Sequence, residues 1–245
     1  MKLKNKLILG FLIAAVLLGG LIFYKPAQEE FNFRRIDEEP ELLESKTVDV
    51  DGTSVRFDLY DDKGVKVQVA VPLSDEDGYK LDMESLAEAA EGLFETEETL
   101  KTPDYENAGG GTHQDCAAWH SGRWEVKDAM TPFVIRSTDM KMSGVWKGEG
   151  AAYKMQLHQS IEFSGAAADI SVPPGFEKNG STNTYTWSSF GYENTPFVLA
   201  YIGDAEATSV VSTLEMTVKS GADIYPTNSL SYSSSVSDSR SILGG

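Results

Sequence analysis

Between Thr112 and His120 the chain reads Thr-His-Gln-Asp-Cys-Ala-Ala-Trp-His, which places two of its three histidines, its single cysteine and an aspartate in one short segment. Imidazole and thiolate offer lone pairs to borderline-soft cations, so this segment suits zinc or copper. Were the segment helical, Cys116 and His120 would share a face. A fourth donor has to come from elsewhere, and His158 is the remaining histidine. His113, Cys116, His120 and His158 are therefore the candidate metal ligands. Their spacing matches no closed-site pattern, and the same residues also fit a loop whose polar side chains are incidental. Both readings stay open on sequence.

Cys116 also has the chemistry of a nucleophile, provided a base such as His158 lies within hydrogen-bond reach. Asp115-Cys116, followed by small residues, resembles the Asp-Cys-Ser-Gly start of the cell-wall cysteine peptidases of the NlpC/P60 type. That resemblance implies a cysteine opening a helix packed on a sheet, and a histidine opening a strand. Here Ala117-Ala118 replaces Ser-Gly, and Gln159-Ser160-Ile161 follows His158 where the family has an apolar-Gly-apolar run.

A third group is Asp75-Glu76-Asp77-Gly78 with Glu84. With Gly78 as the turn glycine of a calcium loop, Asp75, Asp77 and Glu84 fall on ligand positions, but Leu73 occupies the first and cannot coordinate. An acidic turn leading into a helix explains the same residues without an ion. Trp119, Trp124, Trp146 and Trp187 supply flat apolar faces able to stack on sugar rings, or to fill a core. A carbohydrate or cell-wall binding module is thus an alternative function. No cofactor is required by any of these groups, with zinc or calcium as the ions the residues would accept.

These residues must be held by something. From Thr53, Val55, Phe57 and Leu59 alternate with polar residues, a turn follows at Asp61-Asp62-Lys63-Gly64, and Val65, Val67, Val69 and Val71 continue the pattern. This is an antiparallel hairpin. Asp82 caps an amphipathic helix expected to run to about Lys101, with Leu86, Ala90, Leu93 and Leu100 on one stripe, and the stripe is expected to lie on the valine face of the hairpin. Glu84, Glu88, Glu91, Glu95 and Glu98 form an acidic column, either a solvated face or an attraction for a cation or basic partner. After an irregular, glycine-rich stretch at 102–122, strand patterns recur over 123–127, 132–142, 152–163, 168–172, 183–189, 196–203 and 209–219. The fold expected is mainly β (α+β): an antiparallel β-sandwich or curled sheet with one amphipathic helix, behind an N-terminal transmembrane helix.

The ends of the chain set its place. Lys2, Lys4 and Lys6 precede an uncharged run from Leu7 to Tyr24, long enough at ~1.5 Å per residue to span the ~30 Å hydrocarbon core. The expectation is a cytoplasmic stub (1–6), a single-pass anchor (7–24), an acidic juxtamembrane linker (25–46), an extracytoplasmic β-rich domain (47–225, with a sub-boundary near 102–122) and a disordered serine-rich tail (226–245). A formal charge of -17 repels phosphate backbones and argues against nucleic acid, leaving the bilayer, basic proteins or cell wall as partners. One cysteine leaves no internal disulfide, so packing alone must hold the core. The role expected is non-catalytic, at the cell surface.

Overall fold

The structure, a computed structural model, describes residues 39–73, 82–94, 103–129, 131–211 and 213–243. The expected anchor at 7–24 and the Asp75–Gly78 turn lie outside the described residues. Among the described residues no helix is long and apolar enough to cross a membrane.

The first three strands, β1 (Glu41–Val50), β2 (Thr53–Asp62) and β3 (Val65–Pro72), form a meander. Both of its turns are two residues long and left-handed at both positions: Asp51-Gly52 at φ 52° and 83°, and Lys63-Gly64 at φ 59° and 85°. Such turns match the right-handed strand twist, and glycine takes the second position without a Cβ clash. Asp49 and Asp61 brace them, each accepting from the turn glycine at 2.9 and 2.7 Å.

The remaining strands are β4 (Tyr105–Gly110), β5 (Cys116–Lys127), β6 (Phe133–Trp146), β7 (Ala152–Gly165), β8 (Ile170–Ser171), β9 (Glu177–Lys178), β10 (Thr184–Ser188), β11 (Tyr192–Thr195), β12 (Phe197–Ser209), β13 (Thr213–Thr227) and β14 (Leu230–Leu243). One sheet runs β1-β2-β3-β12-β6-β5-β4 with β8 beside β12, and the other runs β14-β13-β7-β10-β9 with β11 beside β7. All pairings are antiparallel. Val65, Val67, Met140, Met142, Val198 and Ala200 of the first sheet share one buried cluster with Met155, Leu157, Ile161, Met216, Val218 and Ala222 of the second. The described fold is thus mainly antiparallel β, consistent with a β-sandwich.

Helix α1 (Met83–Leu93) makes a further layer. Asp82 caps it, its carboxylate accepting from Ser85 N at 3.0 Å, and Lys46 donates to the Leu93 carbonyl at 2.8 Å near its C-terminus. Leu86 and Ala90 pack with Val55, Phe57, Ala70, Phe197 and Leu199. The expected helix position is therefore corrected in one respect. Register pairs Phe57 with Ala70 and Tyr60 with Val67, so Phe57 and the β3 valines occupy opposite faces of the sheet. The helix covers the Phe57 face, while the valines face the other sheet. The helix as described ends at Leu93, and the stretch expected to continue it to Lys101 lies largely outside the described residues.

Three sequence expectations fail on backbone pairing. The acidic linker assigned to 25–46 already contains the first residues of β1, paired with β2 from Glu41 onward. The irregular stretch at 102–122 holds β4 and most of β5, inside a sheet rather than at a boundary, and Glu38–Gly245 forms one compact unit. Its glycines serve close approach: a Cβ on Gly109 would lie 2.0 Å from the Ser235 carbonyl oxygen of β14. The serine-rich tail is β14, paired with β13 from Thr213↔Leu243 to Thr227↔Leu230. Serine lacks an apolar signal, but Val236 and Ile242 recur with period two on the covered face, and a partner strand supplies the ladder that composition cannot announce.

Candidate functional site

Cys116 and His120 both lie on β5, on the face turned toward the second sheet, where Cys116 and Ala118 join the core. A strand rises ~3.3 Å per residue, so a four-residue separation puts them roughly 13 Å apart, about twice the separation in a helix. That strand conformation also departs from the helix-opening cysteine that the peptidase resemblance implies. His113 sits in the loop between β4 and β5, and His158 lies on β7. Among the described residues, no group of three or more His, Cys, Asp or Glu side chains is gathered as a metal ion would require.

What the structure brings together instead is each histidine with a residue on β13 or β14. The His120 ring is buried, with Nδ1 3.0 Å from Ser220 Oγ of β13 and Nε2 3.4 Å from Asp238 Oδ2 of β14. Asn107 of β4 donates to the same Asp238 oxygen, and Tyr105 meets the His120 ring edge-on at 5.2 Å, its hydroxyl 2.9 Å from Ser137 Oγ. His158 is buried beside Asp223 of β13, Nδ1 to Oδ2 3.9 Å, and Ser233 of β14 donates to the other oxygen of that carboxylate. Gly221 makes room for the imidazole, since a Cβ there would fall 2.2 Å from Nε2. His113 stacks on Tyr232 of β14 at 4.6 Å and lies 3.5 Å from the Asp115 carboxylate. His120 and His113 are thus tied to β13 and β14 at the seam where β4 and β5 meet them, while His158 lies beside β13 within its own sheet and Cys116 faces the core.

Electrostatics follow from this burial. Removal from water pushes the Cys116 thiol up to about 11, with the Asp115 charge adding to the effect. Burial lowers the pKa of His120, against the opposing pull of Asp238. Burial also lowers that of His158, with Asp223 opposing and Lys219 adding to the drop. A further polar link joins the sheets elsewhere: Asp62 of β2 is buried and accepts from Phe190 N at 2.6 Å and from the Tyr192 hydroxyl at 3.1 Å. Desolvation raises the pKa of Asp62 despite those hydrogen bonds.

A pH dependence results. Both imidazoles bind protons less readily in the fold than in the unfolded chain, whose value is near 6.5. Their contribution is complete above that value and is lost as the pH falls toward the lowered folded values, with a slope of up to ~1.4 kcal/mol per pH unit from each. Asp62 acts in the opposite sense, its contribution being full below 3.8 and weakening as the pH rises through its raised value. Urea midpoints are expected to fall between pH 7.5 and pH 5, and a midpoint that rises or stays level over that interval contradicts the buried, neutral histidines.

Sequence reasoning missed Asp223, Ser220 and Asp238 as partners. Asp223 and Ser220 lie on a strand whose pattern was expected to end at 219, and Asp238 sits within the serine run. Gly221 carried the legible signal, a glycine inside a strand, which marks a close approach. Of the tryptophans, Trp146 and Trp187 are buried, and Trp119 and Trp124 are half-buried, Trp124 against Tyr105 at 5.1 Å.

No protein-family model and no curated protein matches the chain. A solved structure described as "Pore forming protein" aligns at 7% identity over 81% of this chain and 94% of its own, with a TM-score of 0.21. A superposition that loose carries no argument about fold or function.

Proposed function

We propose that the chain is a membrane-tethered protein whose β-sandwich is displayed outside the cytoplasm as a non-catalytic accessory, sensing or interaction domain. The observation that carries the non-catalytic part is the fate of the reactive side chains. Cys116, His120 and His158 are buried, with His120 meeting Ser220 of β13 and Asp238 of β14, and His158 packed beside Asp223 of β13. A nucleophile or base must meet its substrate, and these groups face the core or the seam. The tether is supported by the lysine-flanked apolar run at 7–24, with the lysines retained on the cytoplasmic side. Exposed Glu84, Glu88 and Glu91 on α1, on a chain of formal charge -17, favour a basic protein as the partner. The half-buried and buried tryptophans leave no broad aromatic platform for a sugar among the described residues, which ranks the carbohydrate alternative second.

The test is fractionation followed by protease treatment of intact cells. The full-length chain is expected in the carbonate-washed membrane fraction and digestible from outside. Recovery as a soluble product lacking residues 1–24, or complete protection in intact cells, overturns the proposal.

A further inference from the structure

One end of the sandwich is apolar in a chain that is otherwise strongly acidic. Register places Lys127 beside Val134, Ser209 beside Phe133 and Leu214 beside Gly165, so β5, β7 and β12 finish, and β6 and β13 begin, at the same end. The connections after β7 and β12 are tied to one another: Ala166 N donates to the Thr213 carbonyl at 2.9 Å, and Ser209 Oγ to the Ala166 carbonyl at 2.7 Å. Val210 is 70% exposed and Val211 47%, and Ala129, Pro132, Ala166 and Ala168, on connections at the same end, are exposed too. At the opposite end, exposed Leu73 follows β3 and exposed Leu230 opens β14. Scattered apolar side chains are ordinary on a surface, whereas a cluster on linked loop tips marks a contact with something apolar.

The chain path indicates what that is. β1 is antiparallel to β2, β2 to β3 and β3 to β12, so β1 begins facing the end at which β12 finishes. Glu41 is level with Asp61, Lys66 and Tyr201, which puts it about 25–30 Å short of Val210 at ~3.3 Å per strand residue. The residues between the apolar run and β1, Lys25 to Pro40, reach at most ~55 Å when extended. A second copy is a poor occupant, because two chains of charge -17 repel. We infer that the Val210–Val211 tip rests in the headgroup boundary of a zwitterionic bilayer, and so sets the sandwich upright on the membrane that holds the chain. This rests on the membrane-tethered reading. Insertion is driven by apolar area, since exposed Lys127 is outnumbered by exposed Asp128 and Asp169 and gives no attraction to lipid phosphate.

The test uses the full chain in phosphatidylcholine vesicles containing nitroxide-labelled lipid, with a polarity-sensitive thiol probe on Val210→Cys or, at the opposite end, on Ser231→Cys. The unsubstituted chain, whose Cys116 is buried, supplies the labelling background. Quenching at least threefold stronger at position 210 than at 231, abolished by an added Val211→Asp substitution while the protein still floats with the vesicles, is the expected result. Equal quenching at both positions in protein that floats overturns the tip and spares the tether. Strong quenching at 210 with flotation lost on Val211→Asp upholds the tip and overturns the tether. Failure to float with no quenching overturns both. A lipid-independent, concentration-dependent blue shift at 210 assigns the tip to a second copy and overturns the inference.

Discussion

A chain ended after Ser229 is expected to show no cooperative unfolding transition. The truncation removes β14, and with it buried Ile242, half-buried Tyr232, which packs on the core and against His113, and half-buried Val236. Burial of side chains of this size is worth ~1.5–3 kcal/mol each when complete. It also strips Asp238 from His120 and Ser233 from Asp223, each lost hydrogen bond to a charged group being worth ~1.5–3 kcal/mol. Together these approach the whole stability of a domain, about 5–15 kcal/mol. The loss of the β14 ladder along most of β13 adds to this. Urea unfolding followed by tryptophan fluorescence decides the matter. A truncated chain whose unfolding free energy stays within ~0.5 kcal/mol of the full chain would show that the strand contributes nothing, as a disordered tail would.

Replacing Trp187 by alanine is expected to cost ~3–5 kcal/mol, the range for removing a large aromatic from a core. Trp187 is on β10 opposite Gln159 of β7, is among the largest fully buried side chains, and stacks on Phe176 at 6.4 Å. Its indole Nε1 is buried without a hydrogen-bond partner, so Trp187→Phe sheds an unsatisfied donor along with part of the ring. The phenylalanine variant should therefore lose less than about half of what the alanine variant loses. Equal losses in the two, or a loss under ~1 kcal/mol for Trp187→Ala, would contradict the packing described.

How far the sequence announced this fold depends on which residues face inward. The β2–β3 hairpin, the Asp82 cap and several later strands were legible because Val, Ile, Phe and Met mark buried positions at the period of the element. The strand β1 is masked by its acidic composition, although Asp51-Gly52 is as strong a hairpin signal as Lys63-Gly64. Strands β4 and β14 were hidden by glycine and serine, residues that avoid strands on their own and are tolerated here because each supports the other. Gly109 admits the β14 backbone, and Ser234 Oγ donates to the Gly109 carbonyl at 2.8 Å. Pairing of that kind is non-local, and no window of sequence contains it.

The site was legible in kind and not in arrangement. The histidines and the cysteine stand out by residue type, and Cys116 and His120 lie on one face of β5. A strand spreads them where a helix would have joined them. The partners that account for His120 and His158 lie 118 and 65 positions away, at Asp238 and Asp223, beyond any local motif. Buried polar groups are satisfied wherever the fold supplies a partner, and here β13 and β14 supply them.

The central claim is that the reactive side chains of this chain are structural, and Cys116 tests it most directly. With burial holding the thiol near 11, its thiolate is a minute fraction at neutral pH, and only 2% of the residue is exposed. Alkylation of the native protein with iodoacetamide at pH 7.5, followed by mass spectrometry, is expected to leave Cys116 unmodified over hours and to reach completion only after unfolding in urea. Stoichiometric modification of the native protein within minutes would reveal an accessible, activated thiol and contradict the account.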